Sequence, residues 1–262
     1  MKRVLSLLMC LLMVLSLFTA CAKKDDDVIK IGVFEPLTGM NGGGGLQELG
    51  GIEYANKMYP EVLGKKIELV VVDNKSDKGE ATTAVTRLIE KDKVVAIIGS
   101  YGSGVSIAAG DIIKNAKIPA MGASCTNPMV TEGNEFYFRA CFLDPFQGRV
   151  MANYAIEQGA KTAAVIMQNG DDYSVGLGNF FINAFKELTG DADSIVDISE
   201  FQVNDSDFNA ILTNIKAKNP DVIFAPSSAT TAPLIIKQAR DLGIESLIMG
   251  GDTWENPAVI EV

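Results

Sequence analysis

Apolar positions along the chain recur with two different periods that replace one another in turn. Residues 28–34 (VIKIGVF) and 67–72 read as strands, while Leu49, Ile52, Ala55 and Met58 share one helical face over 46–58. Ala81, Ala84, Val85, Leu88 and Ile89 share another helical face over 81–91. The apolar runs 94–98 and 117–121 predict strands on either side of a helix around 107–113. The pattern breaks at 136–148 (FYFRACFLDPFQG), where a short aromatic strand leads into Asp144-Pro145, a turn pair that disfavours helix just before it. An interdomain crossing is expected there. Alternation then starts afresh, with helices over 147–158, 175–188, 207–218 and 232–242 and strands over 162–167, 195–201, 222–225 and 247–249. The expected fold class is α/β: two similar lobes in tandem, 28–143 and 144–262, with parallel central sheets covered on both faces. The stripes Leu177, Phe181, Ala184, Phe185, Leu188 and Phe208, Ile211, Leu212, Ile215 are core faces and carry no ligand role.

Within this frame the stretch 94–131 holds two consecutive strand-to-helix turns. In an open parallel sheet, ligands sit beyond the carboxyl ends of the strands, where helix amino termini present unpaired N–H groups. Ser103 and Ser106 flank one such terminus, and Ser124 with Thr126 sits at the next turn. Small donors on adjacent lips suit an anionic group such as a carboxylate. The same hydroxyls are also ordinary helix caps, and a cap facing a cleft can serve both purposes. The glycine-rich 41–45 invites comparison with a phosphate loop, but neither GxGxxG nor GxxxxGK[ST] can be placed there, and turn glycines are expected instead.

Composition narrows the chemistry. A formal net charge of -10 argues against a nucleic-acid partner, which would leave a basic footprint. Histidine is absent, which removes Ser-His-Asp and Cys-His catalysis and any imidazole metal site. No catalytic group, metal site or cofactor is expected. Residues 1–20 open with Lys2 and Arg3, continue through an apolar run and end in small residues before Cys21, the layout of a secretory signal peptide. The Phe-Thr-Ala-Cys sequence resembles a bacterial lipobox, which implies lipid modification of Cys21; residues 21–27 then form a solvated tether. Cys10 lies within the leader, so Cys125 and Cys141 are the cysteines of the folded body, as a disulfide or as free thiols.

Several stretches together resemble the branched-chain amino-acid-binding family of ABC-transporter solute-binding proteins. They are IKIGVFEPLTG, IELVVVDNKSD with TRLIEKDKVVAIIGS, IPAMGASCTNP, FRACFLDPFQG and QARDLGIESLIMGGDTWENP, spread over 28–262. The resemblance implies the periplasmic binding protein type I fold: two Rossmann-like lobes joined by a hinge and closing on a ligand between them. It implies that Ser103 and Thr126 donate to a ligand carboxylate, that Ser124 offers backbone groups, that Tyr173 lines the cleft from the second lobe, and that Asp252 pairs with a ligand ammonium. The other reading of Asp252 is a turn aspartate after a strand. Gly44 and Ser228 stand where relatives often carry tyrosines, and both changes are expected to remove apolar wall. Relatives run past the region of Val262 and return to the first lobe, so that lobe is expected to be incomplete at its C-terminus.

The implied protein is a monomeric lipoprotein outside the cytoplasm, anchored to the membrane through Cys21. It is expected to capture an amino-acid-like solute and deliver it to ABC permease and ATPase subunits. A ligand-sensing lipoprotein of the same fold is the alternative, and an enzyme acting at the cleft is disfavoured by the missing histidine.

Overall fold

The computed structural model describes residues 28–260. The expected signal peptide (1–20), the tether (21–27) and the lipidated Cys21 lie outside them. The elements in order are β1 (Val28–Glu35), α1 (Gly42–Met58), β2 (Glu61–Val62), β3 (Lys65–Asp73), α2 (Lys78–Glu90), β4 (Ala96–Ile98), α3 (Ser103–Ala116), β5 (Ala120–Gly122) and β6 (Tyr137–Arg139). There follow α4 (Asp144–Glu157), β7 (Ala163–Gln168), α5 (Asp172–Thr189), β8 (Ile195–Phe201), α6 (Asn209–Lys218), β9 (Val222–Phe224), α7 (Ala232–Asp241), β10 (Leu247–Met249) and α8 (Pro257–Ile260). Short 3-10 turns occupy Pro128–Val130 and Asp252–Trp254.

Two sheets result. The first has the strand order β2-β3-β1-β4-β5-β6 and is parallel except for the small β2-β3 hairpin; the second, β10-β9-β7-β8, is parallel throughout. Strand β7 shows why these sequences are apolar without alternating polarity. Ala163, Val165 and Met167 pack into a core with Leu177, Phe181 and Phe185 of α5, while Ala164 and Ile166 pack into the opposite core with Phe208, Leu212 and Ile215. Phe181 stacks on Phe224 with ring centroids 4.3 Å apart, and Phe201 meets Phe208 edge-on at 5.2 Å.

In the first sheet, α2 and α3 cover one face, burying Phe34, Leu88, Ile97, Val105 and Ile113. Ala81, Ala84, Val85 and Leu88 form the buried stripe of α2, and Asp77 caps that helix by accepting from Glu80 N at 2.9 Å. The opposite face is less covered than expected. Beside α1, half-buried Ile31, Ile67, Leu69 and Ile98 line an apolar groove of about 520 Å³.

Several boundaries differ from expectation. Gly42–Gly45 are not a turn but the first turn of α1, packed so closely that a Cβ at Gly45 would lie 2.0 Å from the Pro36 carbonyl oxygen. Asp144-Pro145 does not precede the crossing helix but starts it, because proline in the first turn, here at the second helical position, gives up an N–H that has no intrahelical partner there anyway. Ser103 is not a cap: Gly102, at φ 98°, takes the cap position of α3, and Ser106 instead ties Ser100 N through its hydroxyl at 3.3 Å. Cys125 and Cys141 are both free, the first buried and the second half-buried.

Candidate functional site

The carboxyl ends of β1, β4, β5, β7 and β10 face the space between the two sheets' lobes, and the loops that leave them carry the polar groups. From the first lobe, Ser103 is buried at the start of α3 and its Oγ accepts from Asn127 N at 3.1 Å. Its hydroxyl hydrogen stays free to donate. Ser124, just beyond β5, donates through Oγ to Glu48 Oε1 of α1. Thr126 is 1% exposed, and its side chain supports the buried Asp144 carboxyl, pulling that group's pKa back down.

From the second lobe, the Tyr173 hydroxyl donates to Asp252 Oδ1 at 2.6 Å and lies 3.3 Å from Thr253 Oγ1. Asp252 opens the 3-10 turn after β10, and its N–H donates to Gln147 Oε1 of α4 at 2.7 Å. Asp171 caps α5 by accepting from Ser174 N. Burial raises the Tyr173 phenol well above its ordinary range, and the Asp252 charge pushes it further the same way, so this hydroxyl remains a donor.

Ser103, Ser124, Tyr173 and Asp252 meet around one small cavity of about 20 Å³, room for roughly one water. Its walls at Tyr101, Ser124, Asp252 and Thr253 are shared with an adjoining cleft of about 730 Å³, which Thr126 also lines. That volume lies in the range of small-molecule sites. All five residues singled out in the sequence therefore border a common hollow between the lobes. Among the described residues no group of three or more Cys, Asp or Glu side chains is arranged to hold a metal ion.

The expected loss of wall at Gly44 is corrected by the structure. A Cβ at Gly44 would stand 2.4 Å from the Tyr101 ring, so Tyr101 occupies the space that a side chain at 44 would take. Ser228, by contrast, does leave the wall polar: its hydroxyl pairs with Thr230 Oγ1 at 2.9 Å and Thr231 Oγ1 at 3.0 Å.

Sequence reasoning missed a second set of polar residues. Glu35, at the end of β1, is fully buried and accepts from Tyr101 N at 2.7 Å. Burial and then the neighbouring Glu48 push it up to about 10. Burial also raises Glu48, while hydrogen bonds from Ser124 and Glu35 pull it back. Two ionised carboxylates cannot hydrogen-bond to each other, so the contact between Glu35 and Glu48 is met by one proton carried by Glu35, whose carboxyl also draws on Ser100. Asp144, at the start of α4, is fully buried and pushed up to about 6, mainly by burial. The signal for Glu35 was available, since it is an acid at the carboxyl end of an apolar strand, the position that drew attention to the serines.

Residues 28–259 match the family model described as periplasmic binding protein. The leucine binding protein LivK of Thermotoga maritima is 42% identical with a TM-score of 0.84, the match covering 89% of this chain and 66% of that one. The branched-chain amino acid transporter substrate binding protein LivJ of Streptococcus pneumoniae, solved with isoleucine, is 33% identical with a TM-score of 0.81, covering 89% and 67%. Leu/Ile/Val-binding protein homolog 3 of Brucella melitensis is 28% identical over 233 residues, 87% of this chain and 62% of that relative. The chain spans about 60% of the length of the curated relatives it matches.

Proposed function

The chain belongs to the periplasmic binding protein family, and from that premise we propose that it is the extracytoplasmic solute-binding subunit of an ABC importer, taking an amino-acid-like solute between its lobes. The observation that carries this reading is the meeting of hydroxyls from one lobe with a tyrosine-aspartate pair from the other around one hollow. Ser103 and Thr126 hold the solute carboxylate by hydroxyl donation, with Ser124 supplying backbone groups. Asp252, oriented by Tyr173 and Gln147, receives the solute ammonium. In a poorly hydrated cleft such charge-assisted hydrogen bonds are stronger than at the surface.

The protein does no chemistry on its solute. The lobes 28–143 and 144–262 close over it, and the closed form is what the permease and ATPase subunits receive. The layout of 1–27 supports export and anchoring through a lipid on Cys21. Calorimetry of the full-length protein with leucine, isoleucine and valine tests the reading. Asp252→Ala is expected to weaken solutes bearing an α-amino group by about tenfold or more. Ser103→Ala combined with Thr126→Ala is expected to abolish carboxylate capture. Unchanged affinity in either variant removes those residues from the site.

A further inference from the structure

Building on the solute-binding reading above, we propose that Glu48 sets specificity in the cleft, selecting solutes whose far end carries an N–H donor, ammonium or amide, over aliphatic amino acids. The 730 Å³ cleft is bordered by three carboxylates, Glu48 of the first lobe and Asp252 and Glu255 of the second, and none of its described lining residues is lysine or arginine. Apolar groups share that lining, among them Tyr101, Ala123, Ala140 and Phe142.

The ammonium of an α-amino acid carries three N–H donors, and Asp252, already oriented by Tyr173, is the carboxylate placed to receive it. Glu48 is then left with Ser124 Oγ and the proton of Glu35 as its donors. A carboxylate offers about four acceptor positions; Oε2 is buried away from solvent, so the position left to a solute is on Oε1, beside Ser124. Closing the lobes over an aliphatic tail strips water from Glu48 and puts nothing in its place. A tail ending in N–H groups supplies the missing donor. Sites built around a buried polar group reject analogues that lack its partner far more strongly than apolar pockets reject a methylene difference. Glu35 reinforces the selection, because its own proton keeps the neighbouring Glu48 in the accepting form rather than competing with it for charge.

Calorimetry on the full-length protein with lysine, glutamine and norleucine decides the matter, since norleucine is lysine without its terminal amine. Lysine or glutamine is expected to bind about tenfold or more tighter than norleucine. A preference for lysine alone assigns an ammonium, and a preference for glutamine alone an amide. Glu48→Gln, which keeps the shape and the contact with Ser124, is expected to shrink the preference about fivefold or more. Ser124→Ala, which loosens the Glu48 carboxylate without removing it, is expected to shrink it in the same direction and serves if Glu48→Gln does not fold. Norleucine binding as tightly as lysine and glutamine, or a preference that neither variant moves, overturns the role of Glu48 and leaves solute binding standing. If leucine, lysine, glutamine and norleucine all fail to bind, the solute-binding reading falls and this one with it.

Discussion

At the scale of single residues, the most consequential group is one that does not touch the solute. Glu35 has no exposed surface, and its folded pKa of about 10 lies far above the ordinary 4.5. Below pH 4.5 both folded and unfolded chains hold its proton. Between 4.5 and 10 only the folded chain does, so folding takes up a proton and stability falls as pH rises, by at most about 1.4 kcal/mol per pH unit. Asp144, raised to about 6, adds a smaller slope of the same sign that ends near pH 6. The carboxylates held below their usual range, Asp73, Asp207, Asp221 and Glu187, act only in more acid solution and do not offset this slope. Glu35→Gln retains a donor for Glu48 and an acceptor for Tyr101 N but cannot ionise. Its melting temperature is therefore expected to exceed that of the unaltered protein at pH 8, with a flatter profile between pH 6 and 9. Parallel profiles for the two proteins would show that Glu35 is ionised in the fold.

At the scale of elements, α1 separates what the sequence displayed from what it concealed. The stripe Leu49, Ile52, Ala55, Met58 announced the body of the helix, but its first turn, Gly42–Gly45, carries no side chain through which periodicity could show. The reason for those glycines lies in other parts of the chain: Tyr101 presses on Gly44 and the Pro36 carbonyl on Gly45. The strands and the buried helical stripes were legible for the opposite reason, being local patterns of period 2 or 3.6. Ser103, Ser124, Thr126 and Asp252 were legible by position, each following a strand, whereas Glu48 is a mid-helix residue whose meaning depends on facing Ser124 and Glu35. The glycines themselves give a paired test by chemical denaturation. Gly45→Ala forces its Cβ into the backbone of Pro36 and is expected to cost about 1–3 kcal/mol. Gly50→Ala, on the exposed side of α1 with nothing within 4 Å, is expected to gain about 0.5–1 kcal/mol. Equal effects at the two positions would contradict the packing of α1 against 36.

At the scale of the whole molecule, the two lobes are held together near the cavity by a small clasp. Lys78 of α2 reaches across to Asp172 of α5 at 2.7 Å and donates to the Gly170 carbonyl at 3.3 Å, while Asn127 Nδ2 donates to the Asp172 carbonyl at 2.8 Å. Gly176 makes the approach possible, since a Cβ there would stand 2.7 Å from Asn127 Nδ2. These contacts join groups on opposite lobes, so opening the molecule breaks them, and any stabilisation they give belongs to the closed form alone. A solute that requires the closed form binds more weakly when that form is less populated, by the same factor. The pair is about half exposed on Lys78 and 38% on Asp172, which limits it to roughly 0.2–1 kcal/mol, or about 1.4- to 5-fold in affinity. Lys78→Ala is thus expected to weaken solute binding within that span at low ionic strength, and the deficit should shrink as salt screens the intact pair. The same substitution leaves every cleft-lining donor and acceptor in place, so a loss much larger than fivefold, or one that salt does not reduce, would mean that Lys78 contributes something other than a clasp between the lobes.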